Sequence, residues 1–178
     1  AAAQAVYARA LDAWRSAGAT LVPVTMPDLP ASALYALMNA EAGAMFDELV
    51  RSGAINEMAD KTANGRANQL RAARFIPAVD YIRAQRVRTL LVAQVNALFA
   101  GDAGVAAFLA PATSGSVATA NVTGHPAITV PAGLDNGLPV GVMVTGAHDQ
   151  EARVLQVASA YEAARGPWSG PPAYRVTG

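Results

Sequence analysis

At 178 residues with 53% apolar side chains, the chain is long enough for about one domain with a substantial core. Thirteen Lys and Arg balance thirteen Asp and Glu, so no net charge draws it to nucleic acid or to an anionic membrane surface. The lack of cysteine excludes a disulfide framework and thiolate sites and fits a cytoplasmic protein; no apolar run is long enough to span a bilayer.

Val6, Ala10, Trp14 and Ala17 recur at steps of three and four and predict a helix from Ala2 to Ala17, stopped by Gly18. It opens without a preceding cap, as the start of a fragment would. Thr20 to Val24 reads as a short strand closed by Pro23 and Pro27. Ser32 is the N-cap expected for a helix from Ala33 to about Arg51, with Leu34, Met38, Met45 and Leu49 as its apolar stripe. Glu41 falls on that stripe. A carboxylate there needs a partner; it either lines a substrate cavity or is held structurally by backbone or arginine, the commoner outcome.

Asn56 to Gln69 is polar, carries Asn64-Gly65 and reads as helix ends and loop. Arg66, Arg71, Arg74, Arg83, Arg86 and Arg88 either gather an anionic substrate or, more commonly, form a solvated helix face with partners such as Asp80. Pro77 to Phe99 has the period of a long helix, and its wide apolar surface predicts packing against a sheet. Val105 to Ala110 is a continuous apolar run, as in a strand covered on both faces. The following loop, Ala112 to Asn121, is rich in small hydroxyl residues. Pro126 to Val130 and Val140 to Val144 read as strands joined across Asn136-Gly137, a dipeptide suited to the positive φ angles of a tight turn. Gly124, Gly133, Gly141 and Gly146 read as backbone requirements. Asp149 is the cap expected for a last helix, Gln150 to Arg165, whose stripe is Val154, Val157 or Ala158, Tyr161 and Ala164. A surface tail over 167–178 follows, anchored by Trp168 and Tyr174. With no repeats and no linker, residues 1–178 read as a single domain of the α/β class, a mixed β-sheet of four strands flanked by helices.

No complete active site is legible in these residues. Ser114 or Ser116, His125, and Asp135 or Asp149 can be drawn as a triad, yet no Gly-x-Ser-x-Gly elbow exposes a nucleophile. His125 and His148 fall short of a three-ligand metal site. The glycine spacing matches neither a dinucleotide fingerprint nor a P-loop, so no cofactor is expected.

The blocks Asn121-x-Thr123-Gly124, Pro126-Ala127, Pro131-x-Gly133 and Gly137-Leu138-Pro139-Val140-Gly141 follow one another, with a helix ending near Tyr161-Glu162 behind them. In that order and spacing they resemble the C-terminal signature of the amidase signature family of serine hydrolases. Tyr81, Ala84 and Arg88, on a helix just before a core strand, are similar to that family too. The resemblance implies the C-terminal part of a longer amidase domain, with the fold of that family's C-terminal half. It also implies hydrolysis of a carboxamide to an acid plus ammonia or an amine by Ser-Ser-Lys acyl-enzyme chemistry. A Ser attacks, a second Ser relays its proton to a neutral Lys, and backbone amides hold the oxyanion. The long Gly- and Ser-rich segment that would bear these groups is absent here; Lys61 is the only lysine and stands in the polar run ADKTANGRANQ. None of the residues here is therefore expected to be catalytic, the chain alone is expected to be inactive, and its expected partners are the N-terminal catalytic half and a small amide. The resemblance puts Thr113, Ser114 and Ser116 near the active-site mouth, where, with Glu41, they would touch substrate or serve as ordinary structural residues. The family's glutamine-using amidotransferases are expected to carry an acidic residue just before the Asn-x-x-Gly turn; Ala112 to Asn121 has none, which favours a small neutral amide. The alternative is a non-catalytic binding or assembly module derived from an amidase. Strand edges and apolar helix surface left uncovered in the free chain would also favour a homo-oligomer.

Overall fold

Three strands form the sheet in the computed structural model, which describes residues 2–28, 31–101, 104–113 and 115–168. In chain order the elements are α1 (Ala2–Ser16), α2 (Ala31–Met45), α3 (Asp47–Arg51), a short 3-10 helix (Ala54–Glu57), α4 (Arg66–Ala73), α5 (Ala78–Ala97), β1 (Phe108–Pro111), α6 (Gly115–Thr123), β2 (Ala127–Asp135), β3 (Leu138–Thr145) and α7 (Glu151–Arg165). The chain divides into two units. Residues 1–27 and 94–178 form one, with the sheet; residues 28–93 form the other, which is helical.

In the sheet unit the strand order is β1-β3-β2. Both pairs are antiparallel, with Phe108 opposite Thr145 and Ala127 opposite Thr145. The α/β class with a helix-flanked sheet is as expected, but the described strands pair only antiparallel, and Thr20 to Val24 is not among them. Among the described residues that segment has no neighbouring strand, and no backbone hydrogen bond reaches Thr20–Asp28. Without a ladder, apolar sequence alone does not make a strand.

The hairpin follows its turn chemistry. Asn136 and Gly137 take φ of 49° and 80°, the signs a two-residue turn needs to match strand twist. β2 carries an irregularity between Pro131 and Gly133; Pro131 is tolerated there because β2 is an edge strand, and its carbonyl accepts the Tyr161 hydroxyl at 3.0 Å. Of the four glycines read as backbone requirements, only Gly124 has positive φ, at 76°. The others are close-approach positions. A Cβ on Gly133 would lie 2.9 Å from Val6 Cγ1, one on Gly141 2.6 Å from Thr129 Cγ2, and one on Gly146 2.5 Å from Val154 Cγ2.

The core of this unit lies where α1 and α7 cover one face of the β2–β3 hairpin. Ala10 and Trp14 meet Val130, Val142, Val144, Val154, Ala158 and Tyr161. Trp14 and Tyr161 stack with ring centroids 4.0 Å apart, and Trp14 Nε1 donates to the Val157 carbonyl at 3.2 Å. Burying a ring of this size removes about 150–250 Å² from water, worth at most about 4–6 kcal/mol. The expected stripes of α1 and α7 are the buried ones, except that Ala17 and Ala164 are exposed. Asp149 does not cap α7. It sits at φ 60°, and the residue flanking the helix, Gln150, makes no side-chain cap bond.

In the helical unit the predicted single helix over 33–51 is two. It breaks at Phe46 (φ −100°, ψ 25°), whose N–H still reaches the Ala42 carbonyl at 2.9 Å. The segment read as helix ends and loop, 56–69, runs into α4, which buries Ala67, Leu70 and Ala73; its periodic apolar residues are mostly alanine, a weak signal beside so many polar neighbours. Ile55, Ala67 and Leu70 form the local core. α5 begins as expected, with the Pro77 carbonyl accepting from Asp80 and Tyr81 N–H. Its apolar surface is not all packed, however: Leu91 is buried, whereas Val79, Ile82 and Leu90 are 60%, 59% and 59% exposed. Of the tail, Pro167 and Trp168 are described, and Arg165 stacks over the Trp168 ring at 5.3 Å; Tyr174 lies outside the described residues.

Candidate functional site: a groove beside an edge strand

A groove of about 920 Å³ lies in the sheet unit. One wall is the run Gly104–Ala110, which enters β1; the other is Ala19–Val24 with Met26, and Leu11, Trp14 and Ser116 contribute to the lining. Volume and largely apolar lining are in the range of small-molecule clefts.

Ser116 reaches this groove because Ala112 to Asn121 is not a loop. Its last residues belong to α6, a helix built from small and hydroxyl-bearing residues of poor helix propensity. Thr119 Oγ1 donates to the Gly115 carbonyl at 3.1 Å and Thr123 Oγ1 lies 2.8 Å from the Thr119 carbonyl, so the hydroxyls are satisfied one turn back. Burial of Ala120 and Val122 adds the tertiary support. Gly124 ends the helix with its N–H on the Ala120 carbonyl at 2.8 Å, a left-handed C-cap. The Asn121-x-Thr123-Gly124 block is thus a helix end, with Asn121 in the last turn rather than in a loop.

Beyond Gly124 lies a buried polar chain. His125 Nδ1 is 2.7 Å from Thr123 Oγ1 and Nε2 is 3.0 Å from Asn96 Oδ1. The ring of His148 stacks on His125 at 4.0 Å and bonds the Thr123 carbonyl at 2.9 Å. Burial, with the neighbouring His148, pushes the His125 imidazole down to about 4, so it is neutral at physiological pH. Neither His125 nor His148 contacts a carboxylate in these bonds, and among the described residues no Ser-His-Asp arrangement assembles around them. Among the described residues no three His, Asp or Glu side chains gather to hold a metal ion, and no helix is long and apolar enough to cross a membrane.

The predicted site residues are distributed unevenly. Ser116 lines the groove; Thr113 is exposed on the turn before α6; Ser114 lies outside the described residues. Glu41 belongs to the helical unit, where its Oε1 accepts from Tyr81 Oη at 3.4 Å, Gln85 Nε2 at 3.2 Å and Arg88 Nη1 at 3.1 Å. That network ties α2 to α5. Three of the arginines outside this network are similarly engaged. Arg66 bonds Asn39, Arg71 bonds Asn56 and Asn68, and Arg74 pairs with Asp47 rather than Asp80. The hydrogen bond from Arg51, joined by one from Arg74, holds the Asp47 carboxyl below the ordinary carboxylate range. Lys61 is exposed and donates to the Asn56 carbonyl.

No protein-family model matches the chain. Its sequence is 32% identical to a glutamyl-tRNA(Gln) amidotransferase subunit from Dinoroseobacter shibae, over 92% of this chain and 42% of that protein. The fold superposes on a bacterial aryl acylamidase of the amidase signature enzymes with a TM-score of 0.69, at 20% identity, over 94% of this chain and 41% of that one. The chain belongs to the amidase signature family. A peptide amidase from Stenotrophomonas maltophilia gives a TM-score of 0.73 at 23% identity, over 97% of this chain and 41% of that enzyme. As an amidase signature chain it thus spans about two fifths of the relatives it matches. The aligned span with the D. shibae protein, 211 positions, exceeds the 178 residues present, so that relative also carries insertions inside the matched region.

Proposed function

We propose that the chain is the C-terminal part of an amidase that hydrolyses a small neutral carboxamide, and that the rest of the fold supplies the nucleophile and base. The observation that carries this reading is family membership combined with a largely apolar groove that holds no lysine: Ser116 borders the groove, while Lys61 is exposed in the other unit. In the family's chemistry a Ser Oγ attacks the amide carbon, and its proton passes through a second Ser to Lys. Collapse of the tetrahedral adduct breaks the C–N bond as the proton reaches nitrogen, and water then cleaves the acyl ester to the acid. Ser116 and Thr113 would contribute hydroxyl contacts to the bound amide. No acidic residue lies between Ala112 and Asn121, which supports a neutral amide; the glutamine-using members of the family favour glutamine as a second reading.

The test is an assay of the full natural protein on benzamide, an aliphatic amide and glutamine side by side. Release of ammonia from either of the first two, with kcat/KM at least about tenfold above glutamine, is the expected result, and Ser116→Ala should raise KM about three- to tenfold. Glutamine turning over best would replace the substrate assignment. No hydrolysis of any amide by the folded full protein would leave a binding or assembly module.

A further inference from the structure

Two histidines grip the end of α6. Thr123, the last residue of that helix, is held at three points. Its hydroxyl donates to the Thr119 carbonyl at 2.8 Å and lies 2.7 Å from His125 Nδ1, and its own carbonyl, which can only accept, is bonded by His148 Nε2 at 2.9 Å. The last carbonyls of a helix have no partner within it; here a side chain from the β3–α7 connection supplies one. The two imidazoles stack at 4.0 Å, and His125 Nε2, 3.0 Å from Asn96 Oδ1, carries the tie on to α5. The backbone is bent on both sides to make this pair. Gly124 takes φ 76°, which folds His125 back onto Thr123, and a Cβ there would lie 3.9 Å from His148 Nε2. Asp149 holds φ 60°, uncommon for a residue with a side chain, and such a conformation persists where its surroundings fix it. Ser116 stands about two turns before Thr123 on the same helix, roughly 10 Å away, so a grip on one end sets the position of the other.

We propose that His125 and His148 are positioning residues: the stacked pair clamps the last turn of α6 and so fixes where Ser116 stands at the groove, and acid opens the clamp. Its bearing on amide turnover rests on the proposed reading of the chain as part of an amidase; the clamp itself does not. A proton added to His125 finds no carboxylate. The groups against it are Thr123 of α6, Asn96 at the end of α5, Phe99 just beyond that helix, and His148; among the described residues His148 is the one titratable group that acts on it. Burial without a counter-charge keeps the folded imidazole neutral down to about 4, whereas an opened one titrates near the usual 6.5. The clamp is therefore complete above that value and weakens as pH falls toward 4.

Hydrogen exchange of the full natural protein, corrected for the intrinsic pH dependence of amide exchange, reads the clamp directly. Opening of Val117–Gly124 should rise about tenfold between about pH 7 and 5. His148→Ala should raise it already at neutral pH, His148→Gln less, because glutamine keeps an N–H for the Thr123 carbonyl, and His125→Phe, which keeps a ring in the stack, should abolish the pH dependence. Protection of this segment unmoved by acid and by His148→Ala would overturn the proposal. With Ser116→Cys as the sole cysteine, the rate of alkylation by iodoacetamide should change at least about threefold when His148→Ala is added; an unchanged rate would show that the pair does not place residue 116. A double-mutant cycle completes the test, on whichever of benzamide, an aliphatic amide or glutamine is hydrolysed. His148→Ala should raise KM, and the double variant should have no higher KM than Ser116→Ala alone, because the histidine acts through the serine; additive effects would overturn the positioning role. No turnover of any amide, with exchange and alkylation as expected, sinks the amidase reading alone.

Discussion

The two units of this chain solve burial in different ways. In the sheet unit, α1 and α7 close over a hairpin with a stacked Trp14–Tyr161 pair and a run of valines, all below 4% exposed. The helical unit has a small core around Ile55 and Leu70, and α2 and α5 are joined by hydrogen bonds converging on Glu41. It also leaves large apolar side chains in water: Met45 is 80% exposed and Phe75 85%. Hydrophobic burial scales with area removed from water, whereas a half-exposed polar network contributes little per bond. The comparison teaches that the sheet unit is held mainly by its larger buried core and the helical unit more by polar bonds, while both leave large apolar side chains exposed, Leu138 of the sheet unit at 70% among them.

The sharpest way to break this comparison is Trp14→Ala. It removes the stack and the bond to Val157 and should cost about 3–5 kcal/mol by denaturant unfolding; a loss below about 1 kcal/mol would mean that the aromatic pair is not the centre of the core. Next in size is Gly146→Ala. Its new Cβ would meet Val154 Cγ2 at 2.5 Å, forcing α7 away from β3 at a cost of about 1–3 kcal/mol, readable as a lowered Tm with unchanged secondary structure. An alanine tolerated there would show that α7 sits loosely on the sheet.

Acid sharpens the comparison further, because the buried histidine belongs to the sheet unit. His125 titrates at about 4 when folded and near the usual 6.5 when unfolded, so between these values the unfolded chain binds more protons. Stability from neutral His125 is therefore complete above about pH 6.5 and is lost as pH falls toward 4. His125→Phe should flatten the stability profile across that window; an equally steep profile would place the acid sensitivity elsewhere. The smallest effect is expected in the helical unit, where Glu41→Gln keeps an acceptor but ends the ion pair with Arg88. At 33% and 39% side-chain exposure the loss should be about 0.5–1 kcal/mol. Unchanged KM would mark Glu41 as structural, and a KM raised several-fold at unchanged stability would place it against substrate.

Much of this molecule is determined by its sequence read locally. The steps of three and four in α1 and α7, the start of α5 at Pro77 and the Asn136-Gly137 turn depend on residues within a few positions of one another, and the short motif blocks of Asn121–Gly146 are enough to place the family. Only the tertiary structure decided the rest. α6 forms from poor helix formers because its threonine hydroxyls bond back to the helix and its apolar side is buried. Gly133, Gly141 and Gly146 are small because Val6, Thr129 and Val154 approach them, not because their backbone demands it. Glu41 finds Arg88 47 residues away, and Leu21 to Val24, apolar enough for a strand, stays unpaired because no strand lies beside it among the described residues. In each case the deciding energy is a contact between residues far apart in the chain, which no local pattern encodes.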